Sequence, residues 1–116
     1  MAEVVIIGGG ASGMAAAIAA AESGEHHVTL IERQARVGRK LLSTGNGRCN
    51  LTNLELKIEN FHGENPAFAQ YALSLWSPER VLEFFAELGL MTVTEYGGRV
   101  YPLGWRCCWS QEYFAG

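Results

Sequence analysis

The sequence contains no aspartate. All twelve of its acidic residues are glutamates, and none falls between Arg33 and Leu54. It has three cysteines in 116 residues. That odd number fits no disulfide framework, so a cystine-stapled secreted fold is excluded and a reduced, cytoplasmic setting is expected. No apolar run is long enough to cross a bilayer, so no membrane partner is expected. The segment after Met1 has no basic stretch and meets Glu3 early, so a secretory signal is not expected. Positive net charge is also missing. Nine Lys and Arg against twelve acids give −3, which argues against nucleic acid as a partner. What is present is apolar residue, 48%, with 18% charged, a composition for one modest globular domain.

The gap in acidic residues is where the basic ones gather. Arg33, Arg36, Arg39, Lys40 and Arg48 are five of the nine. A solvated basic loop would look like this, and so would a phosphate clamp, because guanidinium groups bind phosphate oxygens in pairs.

Just upstream, Val4 to Ile7 forms a continuous β-branched run, which predicts a strand buried on both faces as in a parallel sheet. It ends at Gly8. An alanine-rich helix is predicted from about Ala11 to Ser23 with Gly24 as its stop, and a second strand over His27 to Ile31. Within Gly8-Gly9-Gly10-Ala11-Ser12-Gly13 three glycines have separate tasks. Gly8 makes the tight turn, Gly10 lets a pyrophosphate approach the backbone, and Gly13 lets the helix lie close to the sheet. Amides of the first helical turn, including those of Ala11 and Ser12, would face the phosphates. Glu32 follows nineteen residues after Gly13, the position of a ribose partner that would repel a 2′-phosphate. To this point FAD and NAD are equally served.

The run from Val37 to Asn53 separates them. Gly38-Arg39-Lys40 and Ser43-Thr44-Gly45-Asn46-Gly47-Arg48-Cys49-Asn50-Leu51-Thr52-Asn53 do not make a core element. They suit a loop wrapping an extended polar ligand. Together with Gly8–Gly13 and Glu32-Arg33, this run resembles the bacterial FAD-dependent family that includes YhiN and BaiN, over about residues 3–103. Members are described as flavoproteins, NAD(P)/FAD-dependent oxidoreductases or aminoacetone-oxidase-like proteins. The resemblance implies FAD as cofactor, NAD(P)H as a candidate electron donor and a small organic molecule as substrate. It implies that Gly8, Gly10, Ala11, Ser12 and Gly13 hold the pyrophosphate and that Glu32 binds the adenosine ribose. Arg33 would lie near the adenine end, Arg39 and Lys40 along the phosphates and ribityl chain, and Gly47, Arg48, Cys49 and Asn50 toward the flavin. Cys49 lacks a nearby partner thiol, so it reads as a packed residue rather than a redox disulfide. No residue stands out as an acid–base catalyst, and His26, His27 and His62 read as structural or surface positions.

Further on, a helix is expected from Pro66 or Ala67 to Leu75. Ser77-Pro78-Glu79 marks the start of another, with Val81, Leu82, Phe84, Phe85 and Leu88 as its apolar face and Gly89 as its stop. Tyr96-Gly97-Gly98 predicts a hairpin turn between Met91–Glu95 and Arg99–Tyr101, with Arg99 as a hairpin charge. The expected fold is therefore α/β, a partial Rossmann-like FAD-binding strand–helix–strand unit followed by two helices and a β-hairpin. Residues 1–103 would form the N-terminal part of an FAD/NAD(P)-binding domain. Residues 104–116, with Trp105, Trp109 and the Cys107-Cys108 pair, read as an atypical tail, truncated or out of frame. Adjacent cysteines chelate one ion poorly, so no metal is expected. A two-stranded parallel sheet leaves open edges, which makes a marginally stable, association-prone chain the expectation. Two rival functions stand beside the flavoprotein reading: a fragment of an NAD-dependent dehydrogenase, and a non-catalytic nucleotide- or partner-binding remnant.

Overall fold

In a computed structural model residues 1–103 are described. The chain divides into two compact units, the first holding residues 1–49 and the second beginning at Asn50.

The first unit begins with strand β1 (Glu3–Ile7), passes through the glycine turn into helix α1 (Ala11–Ala21), and returns as strand β2 (His27–Ile31). β1 and β2 pair in parallel, with Glu3 opposite His27 and Ile7 opposite Ile31. The helix ends at Ala21, two residues before the expected Ser23, and the predicted stop Gly24 closes the turn that follows. Gly24 takes φ +68° and its N–H reaches the Ala21 carbonyl at 2.9 Å, a left-handed ending that a side chain would oppose. The expectation of a strand buried on both faces needs correction. Burial alternates along β1 and β2. Val4, Ile6, Val28 and Leu30 form the more sheltered face, and Ile6 lies below the helix, its Cγ2 3.6 Å from where a Cβ on Gly13 would stand. Val5, Ile7 and Ile31 on the other face are 59%, 86% and 52% exposed. A continuous apolar run records what a strand can bury. It does not record how many of its faces this chain covers.

The second unit is an antiparallel sheet with helices. Helix α2 (Gln70–Leu75) is preceded by a 3-10 turn over Pro66–Ala69, and helix α3 spans Pro78–Glu87. Ser77 caps α3 as predicted, its Oγ accepting the Arg80 N–H at 3.3 Å. Phe84 packs edge-on to both Trp76 and Phe85, with centroids 5.9 and 5.3 Å away, and the Arg80 guanidinium lies 4.7 Å from the Trp76 ring centroid. The predicted hairpin is strands β4 (Thr92–Thr94) and β5 (Arg99–Pro102). Arg99 donates from Nε to the Tyr96 carbonyl, the hairpin role expected of it. A further strand, β3 (Thr52–Asn53), was not legible in the sequence. It pairs with β5 and gives the order β3-β5-β4. Two residues show no periodicity, and these two belong to a polar run that reads as loop. Val100 is fully buried, and Tyr101 and Leu90 are buried as well.

The tail over residues 104–116, with its cysteine pair, lies outside the described residues.

Candidate functional site

The glycine turn is built from four glycines that do four different things. Gly8 takes φ +101° and its N–H donates to the Ile31 carbonyl at 2.8 Å, pinning the end of β1 to β2. A Cβ on Gly13 would run into the Gly8 carbonyl oxygen, so only glycine lets α1 approach the strand this closely. Gly9 is the residue that a G-x-G-x-x-G reading passes over. It is buried, and a Cβ there would stand 2.7 Å from Val37 Cγ1, 3.0 Å from Glu32 Oε2 and 3.1 Å from Leu30 Cδ2. The only signal for it was its place as the middle glycine of an unbroken run of three. Gly10 is the opposite case. Its φ of −81° and ψ of −172° suit any residue, and nothing lies within 4 Å of a Cβ built on it.

The start of α1 adjoins this open space. The helical ladder begins with the Met14 N–H donating to the Gly10 carbonyl at 3.0 Å, so the amides of Ala11, Ser12 and Gly13 precede it. No side chain caps this end and no acid stands in the first turn. Gly10, Ala11 and Ser12 are exposed. Uncapped amides and the positive end of the helix dipole together favour an anion.

Glu32 stands just past β2 and reaches the same turn. Its Oε1 accepts the Gln34 N–H at 2.9 Å and its Oε2 accepts the Gly9 N–H at 2.6 Å. These amides, Gln34 foremost, and the neighbouring Arg33 charge hold its carboxyl below the usual carboxylate range. Glu32 is therefore ionised at neutral pH. Backbone amides occupy part of the carboxylate's roughly four acceptor positions, so capacity for hydroxyl donors remains.

The second loop starts from buried Gly38, which takes φ +68° and donates its N–H to the Gly9 carbonyl at 2.6 Å. Arg33, Arg39 and Lys40 are exposed, and Arg39 Nη1 donates to Gln34 Oε1 at 2.8 Å. A 3-10 segment over Leu41–Gly47 is interrupted by left-handed backbone at Gly45 and Asn46, both at φ +56°, and Gly47 follows at φ +81°. Ser43 and Thr44, both exposed, donate their hydroxyls to the Lys40 and Leu41 carbonyls. Arg48, half-buried, donates its N–H to the Gly45 carbonyl. Cys49 is 2% exposed and takes φ +59°, a conformation that costs a non-glycine residue about 1–3 kcal/mol. Its N–H donates to the Thr44 carbonyl at 3.0 Å. The packed role expected of its side chain agrees with that burial. Asn50 is exposed and opens the second unit. Asn53, part of the same polar run, serves the hairpin instead. Its Nδ2 donates to the Gly97 carbonyl, and its Oδ1 accepts the Glu55 N–H.

The residues brought together are thus Gly8–Gly13, Glu32 and Gly38. They offer uncapped amides, a space that a Cβ at Gly10 would fill, and a carboxylate at the same turn, with cationic side chains on the loop that follows. That donor set fits a dinucleotide, whose pyrophosphate and ribose need those groups. A family model described as the HI0933-like protein Rossmann domain matches residues 2–108. The chain belongs to this family. Its members are FAD-binding Rossmann proteins of oxidoreductase type. The chain is 50% identical over 103 residues to a 3-dehydro-bile acid delta(4,6)-reductase of Clostridium scindens, an overlap of 88% of this chain and 25% of that protein. It is 36% identical over 88 residues to a ribosomal RNA dihydrouridine synthase of Haemophilus influenzae, covering 76% of this chain and 22% of the relative. To the Escherichia coli protein of the same name it is 40% identical over 72 residues, 62% of this chain and 18% of the relative. The chain therefore spans a quarter or less of the length of these curated relatives. Among the described residues no helix is long and apolar enough to cross a membrane.

Proposed function

We propose that this chain carries the FAD-binding portion of a flavin-dependent oxidoreductase. Gly8, Gly10, Ala11, Ser12 and Gly13 hold the pyrophosphate, Glu32 takes the adenosine ribose, and Arg33 lies toward the adenine. Arg39 and Lys40 follow the phosphates and ribityl chain, with Gly47, Arg48, Cys49 and Asn50 on the flavin side. The flavin, when bound, supplies hydride or electron transfer, and the chain's own residues bind and orient it.

The observation that carries this reading is Gly10. Gly8, Gly9 and Gly13 are each demanded by backbone conformation or by packing within the protein. Gly10 is demanded by neither, and it borders uncapped helix amides. A ligand that comes up against the backbone supplies the missing reason. Gly10→Ala is therefore the sharpest test. The variant should fold and melt like the parent, while FAD affinity measured by flavin fluorescence falls at least about tenfold. Equal affinity would remove the pyrophosphate from this turn. Glu32→Ala and Arg48→Ala should each weaken FAD binding as well, and NAD titrated in place of FAD should bind far more weakly.

The substrate of the whole protein is read as a small organic molecule, with NAD(P)H as electron donor. Support comes from the net charge of −3 and from the 50% identity to a bile acid reductase. RNA is the second reading, carried by the two ribosomal RNA dihydrouridine synthases and by the exposed basic residues Arg33, Arg36, Arg39 and Lys40. Bleaching of protein-bound flavin by NADH or NADPH tests the donor. Recovery of the flavin colour on adding an unsaturated sterol-like ketone, rather than RNA, separates the two substrates.

A further inference from the structure

Gly9 is bonded through both ends of its backbone to residues far along the chain. Its N–H donates to Glu32 Oε2 at 2.6 Å, and its carbonyl accepts the Gly38 N–H at 2.6 Å. The space beside its Cα is closed by Val37, Glu32 and Leu30. Its φ lies outside the left-handed region, so packing, and not backbone conformation, is what requires glycine there. One residue thus joins three segments: the turn after β1, the end of β2 and the start of the second loop.

We propose that Gly9 and Glu32 are positioning residues that lock the two glycine loops into a single cradle. In this lock the Glu32 carboxylate shapes the phosphate-binding turn in addition to standing at the ribose position. A hydrogen bond from an amide to an ionised carboxylate is stronger than one between neutral groups. It fixes the plane of the peptide that carries the Gly9 N–H. Gly9 in turn presents its carbonyl to Gly38, whose buried N–H has that carbonyl as its acceptor. Glu32 therefore acts on Gly38 through Gly9 without touching it, and through Gly38 on the loop that carries Arg39 and Lys40. The purpose of the lock rests on the cofactor reading, but the lock is a property of the ligand-free protein and is tested there.

The experiment is amide hydrogen exchange by NMR on the ligand-free full chain. In the parent, Gly9 and Gly38 should be protected. In Glu32→Gln, which turns one acceptor oxygen into a donor NH2, both should exchange about tenfold faster, while the Gly8 and Met14 amides keep their rates. Unprotected Gly9 or Gly38 amides in the parent would overturn the lock. So would an unchanged Gly38 rate in a folded Glu32→Gln protein. Should Glu32→Gln lose the Met14 protection too, Gly9→Ala decides. Its Cβ is crowded by side chains that can shift, so the variant should fold, exchange Gly38 faster and bind FAD about tenfold more weakly; an unaltered Gly38 rate there overturns the lock. If the parent bound no FAD while Gly9 and Gly38 behaved as stated, the cofactor reading would fail and the lock would stand.

Discussion

Every second residue of β1 is exposed, with Ile7 at 86%, whereas three consecutive residues of β5 are buried and Val100 has no accessible surface. Composition alone points the other way. The β1 sequence EVVII is far more apolar than the RVYP of β5. What differs is position in the sheet. β5 lies between β3 and β4, while β1 has, among the described residues, one partner strand, β2. Burial in this chain follows the number of neighbours a strand has, and hydrophobicity only sets which residues could use them.

The helix starts show a parallel contrast. α3 begins at a serine whose hydroxyl satisfies an orphan amide. α1 begins at an uncapped glycine with its first amides uncovered. At α3 the chain satisfies an orphan amide itself, and at α1 it leaves the first amides open, as the proposed pyrophosphate site requires.

The largest effect is expected where the first unit is closed most tightly. Gly13→Ala sets a Cβ against the Gly8 carbonyl oxygen, and a backbone atom cannot rotate away as a side chain can. The first unit should lose about 3 kcal/mol, the upper end of overpacking costs, read as lost protection of its amides. Gly10→Ala, three residues earlier in open space, should cost less than about 0.5 kcal/mol. If the two variants melted alike, the close helix–strand approach would not be what holds the unit together.

Next comes the core of the second unit. Val100→Ala removes two carbons from a position with no exposure, and should cost about 2 kcal/mol from lost burial and the cavity left behind. Chemical denaturation followed at the tryptophan fluorescence measures it. A loss below about 0.5 kcal/mol would mean that β5 is not the strand around which this sheet packs.

Legibility in the sequence divides along the same lines. The strand–helix–strand order, the Gly24 stop, the Ser77 cap and the Gly97-Gly98 hairpin were readable because each is decided within a few residues, by conformation or by one hydrogen bond. β3 was not, because a two-residue strand exists only by virtue of its partner. The exposed face of β1 and β2 was not, because local sequence carries no record of which layers the chain supplies. In the site, Gly8, Gly13 and Glu32 followed from spacing. The bonds of Gly9 to Glu32 and Gly38 did not, since they join residues 23 and 29 positions apart through the N–H and carbonyl of Gly9, groups that nearly every residue carries. Cys49 could be read as packed, but not as left-handed, because nothing about a cysteine signals φ +59°.

A smaller effect sharpens the contrast between helix starts. Ser77→Ala leaves the Arg80 amide without its side-chain acceptor and should cost about 1 kcal/mol. At α1 the comparable change is an addition. Gly10→Ser offers a hydroxyl to amides that have no side-chain cap, and should stabilise the ligand-free protein by a few tenths of a kcal/mol while crowding the space proposed for the pyrophosphate. A stabilised variant with undiminished FAD affinity would show that those amides are not the ligand's.

The smallest effect is expected at the most exposed apolar side chain of the sheet. Ile7→Thr keeps the β-branching that suits a strand and removes apolar surface that is already 86% in water, so equilibrium unfolding should shift by less than about 0.5 kcal/mol. Ile6→Thr, one residue earlier on the sheltered face, is the control and should cost clearly more, since it puts a hydroxyl beneath the helix. The pair converts the alternation of β1 into a measured difference between adjacent positions. Val5, Ile7 and Ile31 also lie on the exposed face of a sheet whose outer edges have no partner strand among the described residues, the kind of surface on which copies of a chain associate. Ile7→Thr should therefore raise the concentration at which sedimentation first shows association, with no cost in stability. If Ile7→Thr proved as destabilising as Ile6→Thr at every concentration, the face would be covered within the single chain, and the comparison between β1 and β5 would lose its basis.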